Sequence, residues 1–159
     1  MVGPNGEHVG PDGTSRSLGG QEDREWFLTL RRRADVILTS GKTFLDEAYR
    51  KPQGAALAVF SRQIRHLDLP EGTIALGSAQ AKDFREALGH LRLLGYRKIH
   101  CEFGPTGFLA LSEDNIVESY LSSESQSGIE AFTERNDTPF SLVASGSLFI
   151  ARIGSVAVH

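Results

Sequence analysis

The sequence predicts an α/β fold: a three-layer α/β/α arrangement around a mixed, mostly parallel sheet that ends in an antiparallel hairpin. Three observations carry this. Short apolar strands alternate with amphipathic helices, which implies parallel pairing with helices on both faces. Residues 55–60 are continuously apolar, as in a strand covered on both sides. Ser145-Gly146 separates two short apolar runs, 140–143 and 148–153, which is a hairpin signal. The 159 residues are a usual size for one domain. Residues 1–159 are read as that domain, with 1–20 as an N-terminal loop region.

In chain order, residues 1–20 are rich in turn formers, with Asn5-Gly6 and Asp12-Gly13 as turn dipeptides. Val9 and Leu18 leave room for an ordered loop where a floppy tail is usual. Only Met1 and Val2 precede the first turn, so the chain is expected to begin at the end of a strand. Residues 21–33 read as helix, with Glu22, Asp23 and Glu25 near its start and Arg31, Arg32 and Arg33 at its end. Both placements complement the helix dipole. Trp26, Phe27 and Leu30 supply its apolar face. The three arginines have two readings, an anion patch or a solvated last turn; the dipole argument favours the second.

Residues 36–38 are a buried strand leading into Thr39-Ser40-Gly41-Lys42-Thr43 and a short helix. Gly41-Lys42-Thr43 looks like the end of a P-loop, but the full pattern needs Gly at position 36, where Val36 stands. Residues 73–76 form another strand. Residues 83–94 form an amphipathic helix on Phe84, Ala87, Leu88, Leu91 and Leu94, closed by Gly95 in a left-handed turn. Residues 98–102 are a strand with Ile99 and Cys101 on one face. Phe103-Gly104-Pro105-Thr106-Gly107 then opens a helix with Pro105 near its first turn. Residues 116–121 are a strand and 122–127 a mobile Ser-rich loop. No element is expected between that loop and the hairpin.

Two polar turns, 39–43 and 102–107, thus fall at carboxyl ends of strands. There ligands bind in such sheets, and backbone N–H groups at a helix start favour anions such as phosphate. Either turn by itself is more often a plain connection, since such motifs are short and common.

Little else points to chemistry. The formal net charge of −3 argues against nucleic acid. The single Cys101 excludes an internal disulfide and a cysteine zinc cluster, and a mid-strand thiol reads as buried and inert. No apolar run reaches the ~20 residues of a membrane span, and no signal pattern is present, so a cytoplasmic protein without membrane partners is expected. His66, His100 and His159 are scattered, and no metal site is expected. Glu102, directly before the second turn, has two readings, holding the loop or handling a proton. No acid, base or nucleophile stands out. That suits hydride transfer, where a cofactor carries the chemistry, and equally suits a protein with no chemistry.

The order and spacing of several motifs resemble the C-terminal reductase domain of the bifunctional deaminase-reductase of riboflavin biosynthesis, a family with a dihydrofolate-reductase-like fold. Asn5-Gly6 stands where that family has Asp-Gly. Gly13-Thr14-Ser15-Arg16 followed by Asp23 resembles its Gly-x-Ser-Lys loop and acidic helix start. Leu30-Arg31, Ala34 to Leu38 and Thr43 resemble its Leu-Arg, Ala-Asp-Ala-Val-Leu and Thr stretch. Glu102 to Thr106 resembles its Glu-Gly-Gly-Pro turn. The resemblance implies an NADPH-dependent reductase of a ribose-phosphate-bearing pyrimidine, active as a homodimer. It places Gly104, Pro105 and Thr106 at the cofactor pyrophosphate, Glu102 and Phe103 with them in the cofactor-binding turn, Ser40, Gly41, Lys42 and Thr43 beside the cofactor, and Asn5, Ser15 and Arg16 toward the substrate. Phe103 in place of the first Gly, Asn5 in place of a carboxylate, Ser40 and Lys42 in place of Gly, and a first strand reduced to its end all depart from the pattern. They keep a second hypothesis open, a non-catalytic relative that binds a nucleotide or protein partner. A third is a nucleotide-binding transferase using the same loops.

Overall fold

The computed structural model describes residues 1–113 and 116–154; the terminal His159 lies outside them. The chain forms two compact units, Leu28–Phe108 and Met1–Phe27 with Leu109–His159. Helices α1 (Gln21–Arg32) and α4 (Pro105–Glu113) run from one unit into the other.

Leu28–Phe108 holds a four-stranded parallel sheet of β1 (Val36–Ser40), β2 (Ala56–Phe60), β3 (Ile74–Leu76) and β4 (Ile99–Glu102), in the order β3-β2-β1-β4. Val36 lies opposite both Ala56 and Ile99, and Thr39 opposite both Val59 and Glu102. β1 and β2 are the inner strands, and Val36, Ile37, Leu38, Leu57, Ala58 and Val59 are fully buried. Burial on both faces is why these runs read as continuously apolar. Phe44 of α2 (Gly41–Asp46) joins Leu57 and Val59 in a cluster covered by Tyr49, Ile64, Leu67 and Leu69.

α3 (Phe84–Leu93) starts at Asp83, whose carboxylate accepts the Glu86 N–H at 2.8 Å. This is an N-cap. It buries Ala87, Leu88 and Leu91. Leu94, assigned by spacing to the same face, is instead the C-cap and is 55% exposed. There the chain leaves the helix through Gly95 at φ +97°. Tyr96 N–H reaches Leu91 O and Gly95 N–H reaches Arg92 O, the two bonds of a Schellman ending.

In the other unit, β5 (Ser119–Ser123), β7 (Phe149–Ile153) and β6 (Phe140–Ala144) form an antiparallel sheet in that order. The hairpin stands where the sequence places it, but among the described residues its strands make a sheet of their own. β5 starts later than the predicted 116 and continues through Ser122 and Ser123. These serines are buried, and Ser122 Oγ donates to Asp23 Oδ1 at 2.6 Å. The expected mobile loop is therefore mostly strand and the start of α5 (Gln126–Arg135). That helix went unread, although Ile129 and Phe132 have helical spacing and are buried.

The N-terminal loop is ordered. Val2 is buried and its N–H donates to Ser122 O at 2.9 Å, though residues 1–3 form no strand. Gly6 sits at φ +74°, where a Cβ would meet Phe132 N at 2.6 Å. Both a left-handed backbone and a close approach therefore require glycine. Asp12 accepts from Thr14 N, Thr14 Oγ1 and Ser17 Oγ. The Ser17 bond, then those from Thr14, holds its carboxyl below the usual range. No helix among the described residues is long and apolar enough to cross a membrane.

Candidate functional site

The strand order reverses between β1 and β4. From β1 the chain adds β2 and β3 on one side, then places β4 on the other. A parallel sheet opens a crevice at such a point, beyond the carboxyl ends of the strands. The turns that close these ends are the two read from the sequence.

The first joins β1 to α2. Ser40 is its extended N-cap, and its Oγ accepts Thr43 N–H at 3.0 Å and lies 2.9 Å from Thr43 Oγ1. Gly41 is buried; a Cβ there would fall 2.7 Å from Ser61 Cβ. Lys42 points outward and pairs with Asp46 one turn on, so part of its charge is already answered. Such an exposed pair contributes about 0.5 kcal/mol.

The second turn joins β4 to α4. Thr39 Oγ1 donates to Glu102 O at 2.7 Å. Gly104 N–H donates to Thr43 Oγ1 at 3.3 Å. The two turns are therefore tied side by side. Pro105 opens α4, where a missing N–H costs nothing. The first helical bond outside the turn runs from Phe108 N to Gly104 O, so the N–H groups of Thr106 and Gly107 precede any intrahelical acceptor. Chain neighbours apart, nothing lies within 4 Å of a Cβ built on Gly104. Phe103 is half-buried. Its ring lies 4.4 Å from that of Phe84, which is 5.2 Å from Phe60. The side chain works as an apolar anchor.

Glu102 carries the buried charge. Arg31 grips both of its oxygens, Nε at 2.7 Å and Nη2 at 2.6 Å, and Arg31 Nη2 also donates to Tyr49 OH. The Glu102 side chain is only 8% exposed. Burial pushes its carboxyl up; the Arg31 bonds and charge oppose this without cancelling it, and Glu47 adds a smaller upward push. His100, two residues earlier on the same face of β4, has Nε2 at 3.3 Å from Glu102 Oε1. Burial first, then Arg31, pulls its pKa down to about 4, so it is neutral at pH 7. On the opposite face burial pushes the Cys101 thiol up to about 12, leaving it unreactive.

The structure thus brings Ser40, Gly41, Lys42, Thr43, Glu102, Phe103, Gly104, Pro105 and Thr106 together at one sheet edge. Asn5, Ser15 and Arg16 belong to the other unit. Asn5 is exposed in a tight turn, its N–H on Glu7 and its carbonyl accepting from Arg135. Ser15 and Arg16 begin a single 3-10 turn above Asp12. Sequence reasoning missed Arg31, read as part of a solvated helix end. The signal was available: a carboxylate inside a strand needs a cationic or hydrogen-bonding partner, and Arg31 is the arginine of the triplet that turns inward. Tyr49 carried no such signal.

The residues present fit a dinucleotide pyrophosphate. Gly104 is open, Thr106 is exposed at the start of α4, ahead of any intrahelical acceptor, and Leu28–Phe108 has thirteen Lys and Arg against eight Asp and Glu. Among the described residues no group of three or more His, Cys, Asp or Glu could hold a metal.

No family model and no curated protein matches the chain. Solved structures do. A pyrimidine reductase-like protein from Corynebacterium diphtheriae is 18% identical, with a TM-score of 0.66 over 92% of this chain and 86% of that one. A diaminohydroxyphosphoribosylaminopyrimidine deaminase/5-amino-6-(5-phosphoribosylamino)uracil reductase from Thermotoga maritima is 14% identical, with a TM-score of 0.67 over 96% of this chain. This chain spans 54% of that bifunctional protein. At these identities the likeness establishes a shared fold, the α/β fold of pyrimidine reductase-like proteins.

Proposed function

We propose that this protein is an NADPH-dependent reductase acting on a pyrimidine that bears a ribose-phosphate chain, a cytoplasmic homodimer of the riboflavin-biosynthesis type. The observation that carries the reading is the pair of tied turns at the point where the strand order reverses. The shared fold adds support. NADPH would supply the hydride. In this reading Gly104, Pro105 and Thr106 bind the pyrophosphate through an open backbone and the first N–H groups of α4, while Ser40 to Thr43 flank the cofactor. Asn5, Ser15 and Arg16 serve the substrate. Their substitution raises KM for the pyrimidine and leaves NADPH affinity unchanged.

One observation favours a second reading, a non-catalytic relative. The Gly104 N–H is already given to Thr43, and the Glu102 carboxylate is taken by Arg31, so two groups assigned to the cofactor are occupied. Thermal unfolding with NADPH, NADH and ATP separates the readings. NADPH at 100 times its Kd stabilises by about 2.7 kcal/mol, several degrees for a chain of this size. A shift with NADPH alone, followed by substrate-dependent NADPH oxidation, supports the reductase. A cooperative melt that no nucleotide moves supports the non-catalytic relative.

A further inference from the structure

We propose that Arg31 is a positioning residue for the β4–α4 turn: its two-pronged grip on Glu102 fixes the backbone that presents Gly104 and the first turn of α4. This rests on the reductase reading for its functional consequence, and on geometry alone for its structural one.

Glu102 is the last residue of β4, two positions before the open Gly104. Both of its carboxylate oxygens accept from Arg31, so the side chain is committed to holding the turn. Its carbonyl is held separately by Thr39. Phe103, next along, is secured on Phe84. Gly104 is then tied through its N–H to Thr43. Three consecutive residues are therefore pinned by four partners, Arg31, Thr39, Phe84 and Thr43, of which Arg31 is the charged one. Arg31 in turn donates to Tyr49 OH. The remaining titratable neighbours are His100 on β4 and Glu47 after α2.

A buried ion pair is not an economical source of stability, since a well-packed apolar pair often does as well. What it supplies here is direction. A planar guanidinium meeting a carboxylate through two parallel bonds fixes distance and orientation together, and lysine, a point charge, cannot reproduce the fork. The replacement of a family glycine by Phe103 belongs to the same arrangement. A flexible backbone position has become an anchored one, next to the residue Arg31 holds.

The test uses Arg31→Lys and the double variant Arg31→Met/Glu102→Met in the full chain. Two readouts are made: hydrogen exchange of the Gly104 amide, and NADPH affinity by fluorescence titration. In Arg31→Lys the fold is kept, Gly104 amide protection falls about tenfold and the NADPH Kd rises about tenfold. In the double variant no charge is left buried alone, so thermal stability returns to near wild type while protection and affinity stay reduced. A Gly104 amide as protected as in wild type in Arg31→Lys overturns the proposal; so does recovery of protection together with stability in the double variant. If the double variant does not fold, Arg31→Lys decides. A wild type that does not bind NADPH defeats the reductase reading, and hydrogen exchange still decides the role of Arg31.

Discussion

The two units hold their loops in different ways. In Leu28–Phe108 one turn follows the inner strand β1, fully buried from Val36 to Thr39, and the other follows β4 paired directly beside it. The strands set the turns, and a few polar bonds finish them. In Met1–Phe27 with Leu109–His159 the N-terminal loop is set by close approach. Gly3 lies against Gly128, Gly6 against Phe132, and Arg135 holds the carbonyls of Asn5 and Gly6. Charge divides the same way. The first unit has five more basic than acidic residues, thirteen against eight; the second has eight more acidic than basic, twelve against four. The overall net charge of −3 hides this. An anion-binding site is best placed where the local field favours it, and both anion-ready turns are in the basic unit.

The largest expected effect tests the burial side of this contrast. Leu57→Ala, in a fully buried inner strand, lowers stability by about 3 kcal/mol, within the range for leucine truncations in cores. Leu142→Ala, on exposed edge strand β6, changes it by less than about 0.5 kcal/mol. Urea denaturation reads both, and equal losses would break the contrast.

Two glycines sharpen it. At Gly128 a Cβ would lie 2.2 Å from the Gly3 carbonyl oxygen. Neither backbone can yield easily, so Gly128→Ala costs about 1–3 kcal/mol and exposes the N-terminal loop to limited proteolysis. Gly104→Ala meets open space and costs under about 1 kcal/mol, yet weakens NADPH binding several-fold. Loss of stability without loss of binding at Gly104 would invert the assignment.

A separate test is pH dependence. His100 has a folded pKa of about 4 against 6.5 unfolded. Between these values the unfolded chain binds the extra proton, so stability falls as pH drops from about 6.5 toward 4. Glu102, with its pKa raised, contributes in the opposite sense: its share of stability declines as pH rises through the raised value. His100→Gln therefore flattens the slope above pH 4, as read by thermal melts. Asp12 behaves differently, because its lowered pKa makes its contribution last until pH falls through that value. Its amide partner Thr14 reports that protonation by NMR.

Much of the fold was legible from local pattern. The inner strands, the α3 face and its Gly95 ending, the Pro105 helix start and the hairpin all follow from periodicity and turn chemistry. Local pattern failed at α5, whose two buried large hydrophobics, Ile129 and Phe132, are diluted by polar neighbours. It also failed at β5, where buried serines look like loop. Ser122 is satisfied by the neighbouring strand, by Val2 and by Asp23, and no window of sequence contains those partners.

The sequence alone determined which residues form the two turns and that each stands at the end of a strand, because strand, glycine and helix start are adjacent along the chain. Tertiary structure decided that the turns are neighbours. Strand order is set by pairing between segments some 60 residues apart, Thr39 against Glu102. It also decided that Arg31 turns inward onto the buried carboxylate of Glu102. A charge is placed by the partner that compensates its burial, and that partner is found only when the chain has folded.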